Sequence, residues 1–368
     1  MTTAAELASY ASSFPSFRNR IINGDMRIDQ RGAISVTPSG GATSLACDRF
    51  KLQDYWSSGQ VNTSKSTVAP TGFTNSLLLT VTTSVPMSGS TGYFASLYQS
   101  IEGFNIANAY TSTITLSFWV RSSINDTYSV TFANDSFPNV GSNNRIYVVN
   151  YEIDEPNTWE HKTITVDLAA GVAAGTWNTE NLAGLCVSWN LGAESNRKGN
   201  DALGSWLTLS NSYPFQSASQ TNWISTSGAT FYITGVQLEV GTVATPFEHR
   251  PISVELSLAQ RYLPAFIGNN NMICNGSGYD SNNTRFRVVF PVQTRVPATG
   301  LVVSSAAHFS VESGSGSLTA CGGLSIGSSG VNGASISANH TGGGATNAAM
   351  ALFSNNASSV LYFTGCEL

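Results

Sequence analysis

Short runs of alternating apolar and polar residues dominate the chain between residues 17 and 250. In Thr113–Arg121, the apolar residues Ile114, Leu116 and Phe118 fall at every second position, as expected of a strand with one buried face. Similar patterns predict the strands Ser76–Thr82, Gly92–Gln99, Tyr128–Phe132, Tyr147–Ile153, Glu160–Val166, Leu185–Asn190 and Thr230–Glu239. Many short strands without intervening helices predict an all-β protein, an antiparallel β-sandwich of the jelly-roll type.

A short helix is predicted at the N-terminus. Leu7, Tyr10 and Phe14 fall at helical spacing within residues 1–16, and Pro15 ends the pattern. Because so short a helix is marginal alone, we expect a partner to hold it.

A second helix and a change of composition follow the strand-rich region. In residues 251–266, Ile252, Leu256 and Ala259 share one helical face, and Ser253 can cap it. Residues 267–368 are rich in Gly, Ser, Ala and Asn, yet they retain β-branched and aromatic runs. The strands predicted there are Thr284–Val292, Gly300–Ser305, His308–Ser313, Leu324–Ile326 and Val360–Thr364. We therefore expect a small C-terminal β-domain.

The segment Arg18–Gly32 concentrates charge. Its apolar residues Ile22, Met26 and Ile28 alternate with polar neighbours and predict a half-buried strand, interrupted by a turn at Asn23-Gly24. Arg and Asp residues interleave along the segment, and charges that are partly buried need partners. We interpret them as a structural ion-pair or interface cluster, made of Arg20, Asp25, Asp29 and Arg31.

Composition excludes several classes of function. Only 11% of the 368 residues are charged and the net charge is -5, which argues against nucleic acid as a partner. No apolar run approaches the length of a membrane span, so membrane insertion is not expected. The five cysteines and four histidines lack metal-ligand spacing, so we predict no metal and no cofactor.

Candidate chemistry favours sugar binding over catalysis. Glycosidases need two carboxylates across a cleft, and neither Asp25 with Asp29 nor the acids near Pro156 (Glu152, Asp154 and Glu155) fit that arrangement. Aromatic rings stack on sugars, and four tryptophans stand in loop-like surroundings: Trp56, Trp177, Trp206 and Trp223. The alternative is that these rings cap the sandwich or pack at a subunit interface. The strand tryptophans Trp119, Trp159 and Trp189 are predicted to be core.

Four landmarks in order carry a resemblance to a known family. They are Arg18–Gly32, Cys47-Asp48-Arg49-Phe50, Tyr98-Gln99-Ser100-Ile101-Glu102-Gly103 and Phe231–Pro251. Together they resemble phage virion proteins usually described as tail fibres, over roughly residues 1–266. The resemblance implies an attachment helix (1–16), a jelly roll that looks like a carbohydrate-binding module (17–250), a linker helix (251–266) and a C-terminal β tip domain (267–368). Related jelly rolls often bind calcium through an Asp in the last strand, but Ile233–Val236 has no carboxylate.

The same resemblance implies a function. We expect a non-enzymatic, homotrimeric fibre of the virion, assembled in the host cytoplasm, that adheres to a host cell-surface glycan. Its N-terminus, through Leu7, Tyr10 and Phe14, would bind phage tail or other virion proteins. Two alternatives stay open: a purely architectural capsid or baseplate decoration protein, and a polysaccharide depolymerase, which the missing carboxylate pair disfavours.

Overall fold

The structure is a computed structural model that describes residues 17–38, 41–135, 144–200, 203–208, 216–268, 271–313, 316–342 and 346–368. The predicted N-terminal helix, with Leu7, Tyr10 and Phe14, lies outside the described residues. The chain divides into two compact units, one running to Arg250 and including Leu368, the other spanning Pro251–Glu367.

The first unit is a β-sandwich. Its strands are β1 (Ile34–Val36), β2 (Ala42–Ser44), β3 (Lys51–Tyr55), β4 (Gln60–Ser66), β5 (Ser76–Thr83), β6 (Phe94–Glu102), β7 (Thr113–Ser122), β8 (Thr127–Ala133), β9 (Arg145–Glu152), β10 (Glu160–Asp167), β11 (Ala183–Ala193), β12 (Lys198–Asn200), β13 (Trp206–Thr208), β14 (Gln216–Ser217) and β15 (Thr230–Val240). One sheet has the order β1-β4-β5-β15-β7-β10, the other β13-β9-β8-β11-β6-β3-β2, and β12 pairs with β14. Both sheets are antiparallel, so the predicted sandwich is confirmed.

Alternation along the strands builds the sandwich core. Leu116 and Phe118 of β7 and Val187 and Trp189 of β11 are fully buried, and Phe118 meets Trp189 edge-on at 5.6 Å. Short helices, α1 (Gly103–Ile106), α2 (Leu168–Val172) and 3₁₀ turns at Ala107–Ala109 and Trp223–Ser225, occupy the connections. The strand tryptophan Trp189 is therefore core, as the alternation predicts.

The predicted strand within Arg18–Gly32 is not formed. The segment is a chain of bends and turns, and the first strand begins only at Ile34. Asn23 and Met26 adopt positive φ angles of 60° and 58°, which no regular strand tolerates. The alternating apolar residues are nevertheless buried, because irregular backbone carries them into the core.

Side chains replace the missing sheet ladder in this segment. Asn19 Oδ1 accepts hydrogen bonds from the backbone N–H of Ile21 (2.9 Å) and of Leu238 (3.0 Å), while Nδ2 donates to Val236 O (3.0 Å). Gln99 of β6 bonds both the N–H and the C=O of Ile22 at 2.9 Å. The segment is thus tied to both sheets of the sandwich.

These hydrogen bonds lie where β15 stops pairing with β5. β15 pairs with β5 only over Thr230–Ile233, and a bulge follows between Thr234 and Gln237. Within the bulge, Val236 donates its backbone N–H to Gly24 O at 2.9 Å, and beyond it Arg20 donates its backbone N–H to Leu238 O at 2.8 Å. The opening segment therefore satisfies the backbone groups that β5 leaves open.

The second unit contains a closed β-barrel. Its strands are β16 (Ala265–Ile267), β17 (Met272–Gly278), β18 (Asn283–Val289), β19 (Gly300–Val303), β20 (Phe309–Ser313), β21 (Leu318–Gly330), β22 (Gly333–His340), β23 (Ala349–Ser354) and β24 (Val360–Thr364). The barrel closes in the order β17-β18-β22-β21-β20-β23, beside a small sheet β16-β24-β19. A C-terminal β-domain is confirmed; its closure, which leaves no exposed strand edges, was not predicted.

The helix α3 (Ile252–Gln260) opens the second unit. Its N-cap is Pro251, without a side-chain cap, so the predicted capping role of Ser253 is wrong. Instead, Ser253 O accepts a hydrogen bond from Ser257 Oγ at 2.8 Å. Glu255 and Ala259 are buried, whereas Ile252 is exposed, so the buried face is rotated from the predicted one.

We expect Asn19→Ala to destabilise the sandwich. Removing the amide leaves two buried N–H groups and one C=O without their partner, which should lower the free energy of unfolding by about 2–4 kcal/mol. Urea denaturation measures the change. The matched control is Asn62→Ala on the exposed face of β4, expected to stay within about 0.5 kcal/mol of wild type. Equal effects of the two substitutions would contradict the role of Asn19 in holding the opening segment against β15.

Candidate carbohydrate-binding surface

The structure separates the four candidate tryptophans into two groups. Trp56 and Trp223 lie outside the strands, as predicted, but they are 4% and 0% exposed. Their buried rings cannot stack on a sugar, so their prediction as glycan-binding residues is wrong. Trp56 packs at the end of β3, and Trp223 lies in a 3₁₀ turn with its Nε1 donating to Thr230 O at 3.3 Å. Trp177 and Trp206 are half-buried and lie side by side, with ring centroids 5.5 Å apart.

Four segments bring these rings together with two tyrosines, in what we call the aromatic corner: Tyr110, Tyr147, Trp177 and Trp206. Trp206 begins the edge strand β13 and pairs directly with Tyr147 of β9, at a ring distance of 5.5 Å. Trp177 follows α2, and Tyr110 meets it edge-on at 5.4 Å. The two indoles are inclined by 74°, so they form a corner rather than a stack.

Both indole N–H groups are already used inside the protein. Trp177 Nε1 donates to Ala174 O at 3.0 Å, and Trp206 Nε1 donates to Asp167 O at 2.7 Å. These bonds fix the orientation of each ring at the rim of the sandwich core. What remains available to a ligand is ring surface, which is the part of an indole that stacks on the C–H face of a sugar.

A glycine allows Trp206 to lie flat on α2. A Cβ placed on Gly171 would stand 2.5–2.7 Å from three atoms of the Trp206 ring, far inside van der Waals contact. Since Ala is otherwise favoured over Gly in a helix, the close approach of the indole explains the glycine.

Polar groups border the corner. Arg145 Nη1 donates to Thr208 Oγ1 at 2.9 Å. The Tyr110 hydroxyl donates to Asn178 O at 2.6 Å, and burial raises its pKa to about 12. Burial also raises the pKa of Tyr147. Both phenols are therefore neutral at physiological pH, and the border carries charge of both signs through Arg145 and the exposed Asp167.

The interleaved Arg and Asp residues of the opening segment do not pair as one cluster. Asp25 pairs with Arg27, and Asp29 Oδ1 accepts from the Gly32 backbone N–H at 2.7 Å. Arg31 lies 3.8 Å from Asp48. Each of these contacts lies within the first unit.

Arg20 stands apart from those pairs. Burial, and the nearby charge of Arg250, lower its pKa, while Glu248 acts in the opposite direction. Glu248 also accepts from the backbone N–H groups of Arg18 and Asn19, both at 3.0 Å. The electrostatic partner of Arg20 is thus an acid distant in sequence, which no local pattern reveals.

Trp119 and Trp159 are not core residues, contrary to the prediction, and Trp159 lies just outside a strand. Trp119 of β7 and Trp159 before β10 are half-buried on the outer face of the six-stranded sheet. The signal was present for Trp119, because it falls between the inward positions Phe118 and Val120 and must therefore point outward.

Two of the three acids considered for catalysis near Pro156 have structural partners. Glu152 accepts from Thr127 Oγ1 at 2.9 Å, and Asp154 lies 3.5 Å from Lys162 Nζ. Among the described residues, no cluster of three His, Cys, Asp or Glu side chains is placed to hold a metal ion. No helix in the described part of the chain is long and apolar enough to cross a membrane.

No protein-family model and no curated protein matches the sequence. Solved structures resemble it in fold. A Bacteroides thetaiotaomicron protein described as sugar binding is 14% identical and covers 61% of this chain and 100% of its own, with a TM-score of 0.37. The CBM22-1 xylan-binding domain of Paenibacillus barcinonensis Xyn10C is 8% identical, covering 63% and 100%, with a TM-score of 0.30.

A family 11 carbohydrate-binding module of a Clostridium thermocellum cellulosomal cellulase is 12% identical. It covers 59% of this chain and 95% of its own, with a TM-score of 0.29. The chain thus has structural similarity to carbohydrate-binding modules.

We expect Gly171→Ala to displace Trp206 and disturb the corner. Clash with the indole should outweigh the helical preference for alanine and lower stability by about 1–3 kcal/mol. Near-ultraviolet circular dichroism reports the ring, and urea denaturation reports the stability. The control is a double-mutant cycle: in a Trp206→Ala background, Gly171→Ala should be neutral or stabilising. An equal penalty in both backgrounds would contradict the contact.

Proposed function

We propose that this protein is a non-catalytic carbohydrate-binding protein and that the aromatic corner is its glycan site. The observation that carries the proposal is the pairing of Trp177 and Trp206. Both rings are partly exposed, and both N–H groups are fixed by backbone carbonyls. Such preorganised rings bind a sugar without the entropic cost of ordering them.

The chemistry of the corner suits a neutral or weakly polar pyranose. Apolar C–H faces of the sugar stack on the indoles, while hydroxyl groups meet the polar border of Arg145, Thr208 and the backbone. Two inclined rings select a bent surface of the glycan rather than a flat one. The site binds sugar non-covalently, through ring stacking and hydrogen bonds, without changing it chemically.

We further propose that the protein works as a homotrimeric fibre of a phage virion that adheres to host-surface glycans. The support is the family resemblance of residues 1–266, together with a surface that is polar through Ser, Thr and Asn rather than charge. Single aromatic sites bind sugars weakly, and three copies would raise the effective affinity through avidity.

We expect Trp177→Ala and Trp206→Ala each to weaken glycan binding by about tenfold or more, through the loss of one stacking face. A panel of neutral oligosaccharides identifies the ligand, and calorimetry measures the affinity. Tyr55→Ala on β3, which removes another partly exposed ring of the same unit, should leave the affinity unchanged.

Trp223→Ala shows what the loss of a core tryptophan does to stability, for comparison with the two corner variants. This ring is fully buried, so its removal should cost about 3–5 kcal/mol of stability. If Trp177→Ala and Trp206→Ala left binding intact, the corner would be a cap on the core and the glycan site would lie elsewhere.

We expect the purified protein to have a mass near three times 38.9 kDa by light scattering. A trimer supports the fibre, since closed symmetric assembly is the usual state of such subunits. A monomer at micromolar concentration would favour the architectural alternative, a decoration subunit that assembles only on virion partners. Glycan binding at the corner would be unaffected by that outcome.

A further inference from the structure

A second aromatic surface lies on the other sheet of the sandwich. We call it the outer aromatic face and define it by Trp119, Arg121, Trp159, His161 and Tyr232. Trp119 and Arg121 are outward residues of β7, paired with Thr234 and Tyr232 of β15, and Trp119 also pairs with His161 of β10. The face therefore rests on three adjacent strands of the six-stranded sheet.

The rings of this face are in mutual contact. Trp119 and His161 have centroids 5.1 Å apart, and Trp159 meets Tyr232 edge-on at 6.1 Å. The guanidinium carbon of Arg121 lies 5.1 Å from the centre of the Tyr232 ring. Since Trp119, Trp159 and Tyr232 are only half-buried, their rings present surface to solvent.

Arg121 has no acceptor within the described protein. Its Nε is buried without a hydrogen-bond partner, and no described carboxylate lies within ion-pair distance of its guanidinium. A half-buried guanidinium has lost part of its hydration, and its attraction to the face of Tyr232 compensates only in part. Nε is closed to solvent, so the terminal Nη1 and Nη2 groups, which likewise have no acceptor among the described residues, are the donors available to a ligand.

The neighbouring outward positions do not supply the missing charge. In the row of Arg121 they are Ser64, Leu78 and Tyr232, and in the row of Trp119 they are Thr234 and His161. The nearest acid of β10, Glu160, already pairs with Lys162 Nζ at 2.6 Å. Burial lowers the pKa of His161, so its imidazole is neutral at neutral pH. Arg121 is therefore the charged residue among these outward positions.

We propose that the outer aromatic face binds a carboxylate-bearing sugar of an acidic glycan. The Nη1 and Nη2 groups of Arg121 receive the carboxylate as a bidentate pair, the geometry in which an arginine fork matches a carboxylate. Trp119, Trp159 and Tyr232 contact the apolar face of the pyranose. This site is separate from the aromatic corner, since the corner is built on β9, β13, the loop after α2 and the 3₁₀ turn before Tyr110.

The test uses the full-length protein and a tetramer of galacturonic acid, with its fully methyl-esterified form as the neutral counterpart. We expect calorimetry to detect the acid form, with Arg121→Gln weakening it by about tenfold or more. Arg121→Lys keeps the charge and loses the fork of N–H donors. Its affinity for the acidic tetramer should lie between those of wild type and Arg121→Gln. The ester should bind wild type and Arg121→Gln equally weakly.

Three variants act as controls. Arg287→Gln, in the second unit, removes one positive charge and should not change binding. The double variant Trp177→Ala/Trp206→Ala should retain the acidic tetramer, which separates this site from the corner. Trp159→Ala should weaken it without changing the charge, and it keeps the proposal testable if Arg121→Gln does not fold.

Several outcomes would overturn the proposal. They are equal binding of the acid by wild type and Arg121→Gln, equal affinity for acid and ester, and no binding of the acid at millimolar concentration. Loss of self-association in Arg121→Gln, without any sugar effect, would instead assign the face to contact between copies of this chain.

Discussion

The sandwich depends on the side chains that hold the irregular segment Phe17–Arg31 against both sheets. β15 is one of the two central strands of the six-stranded sheet, yet it leaves β5 after Ile233 and would bury unpaired backbone groups there. Asn19 satisfies Val236 and Leu238 on β15, and Gln99 satisfies Ile22 from the opposite sheet. Amide side chains suit this task because each carries both a donor and an acceptor. A hydrophobic substitute would fill the space but leave these groups unpaired.

With the opening segment held against both sheets, the two candidate binding surfaces rest on rigid elements of the sandwich. The aromatic corner uses an edge strand, β13, and the loop after α2, so its shape depends on a close approach of Trp206 to Gly171. The outer aromatic face uses outward residues of β7, β15 and β10, whose spacing is set by the sheet itself. A loop-borne site changes readily in sequence, whereas a strand-borne one is constrained by register.

The alternation of apolar residues was enough to predict the sandwich, because strands such as β7 carry their burial pattern in the sequence. It failed for Arg18–Gly32, where the same alternation belongs to irregular backbone. The ladder there is replaced by Asn19 and Gln99, whose partners are 217 to 219 and 77 residues away, respectively. It also failed for Trp56 and Trp223, since polar neighbours along the chain do not reveal which side chains cover a ring. The pairing of Trp177 with Trp206 depends on β13 joining β9, a contact that a single sequence does not encode locally.

The two surfaces differ in the interaction that would select their ligands. At the corner, the N–H groups of both tryptophans are satisfied internally, so selection must come from the shape of the ring surface and from hydroxyl contacts. On the outer face, the terminal Nη groups of Arg121 have no acceptor among the described residues, so an acidic ligand supplies them with one. Binding there gains from charge as well as stacking, and salt screens only the first of these. The ionic-strength dependence of binding therefore distinguishes the two surfaces even before either ligand is known.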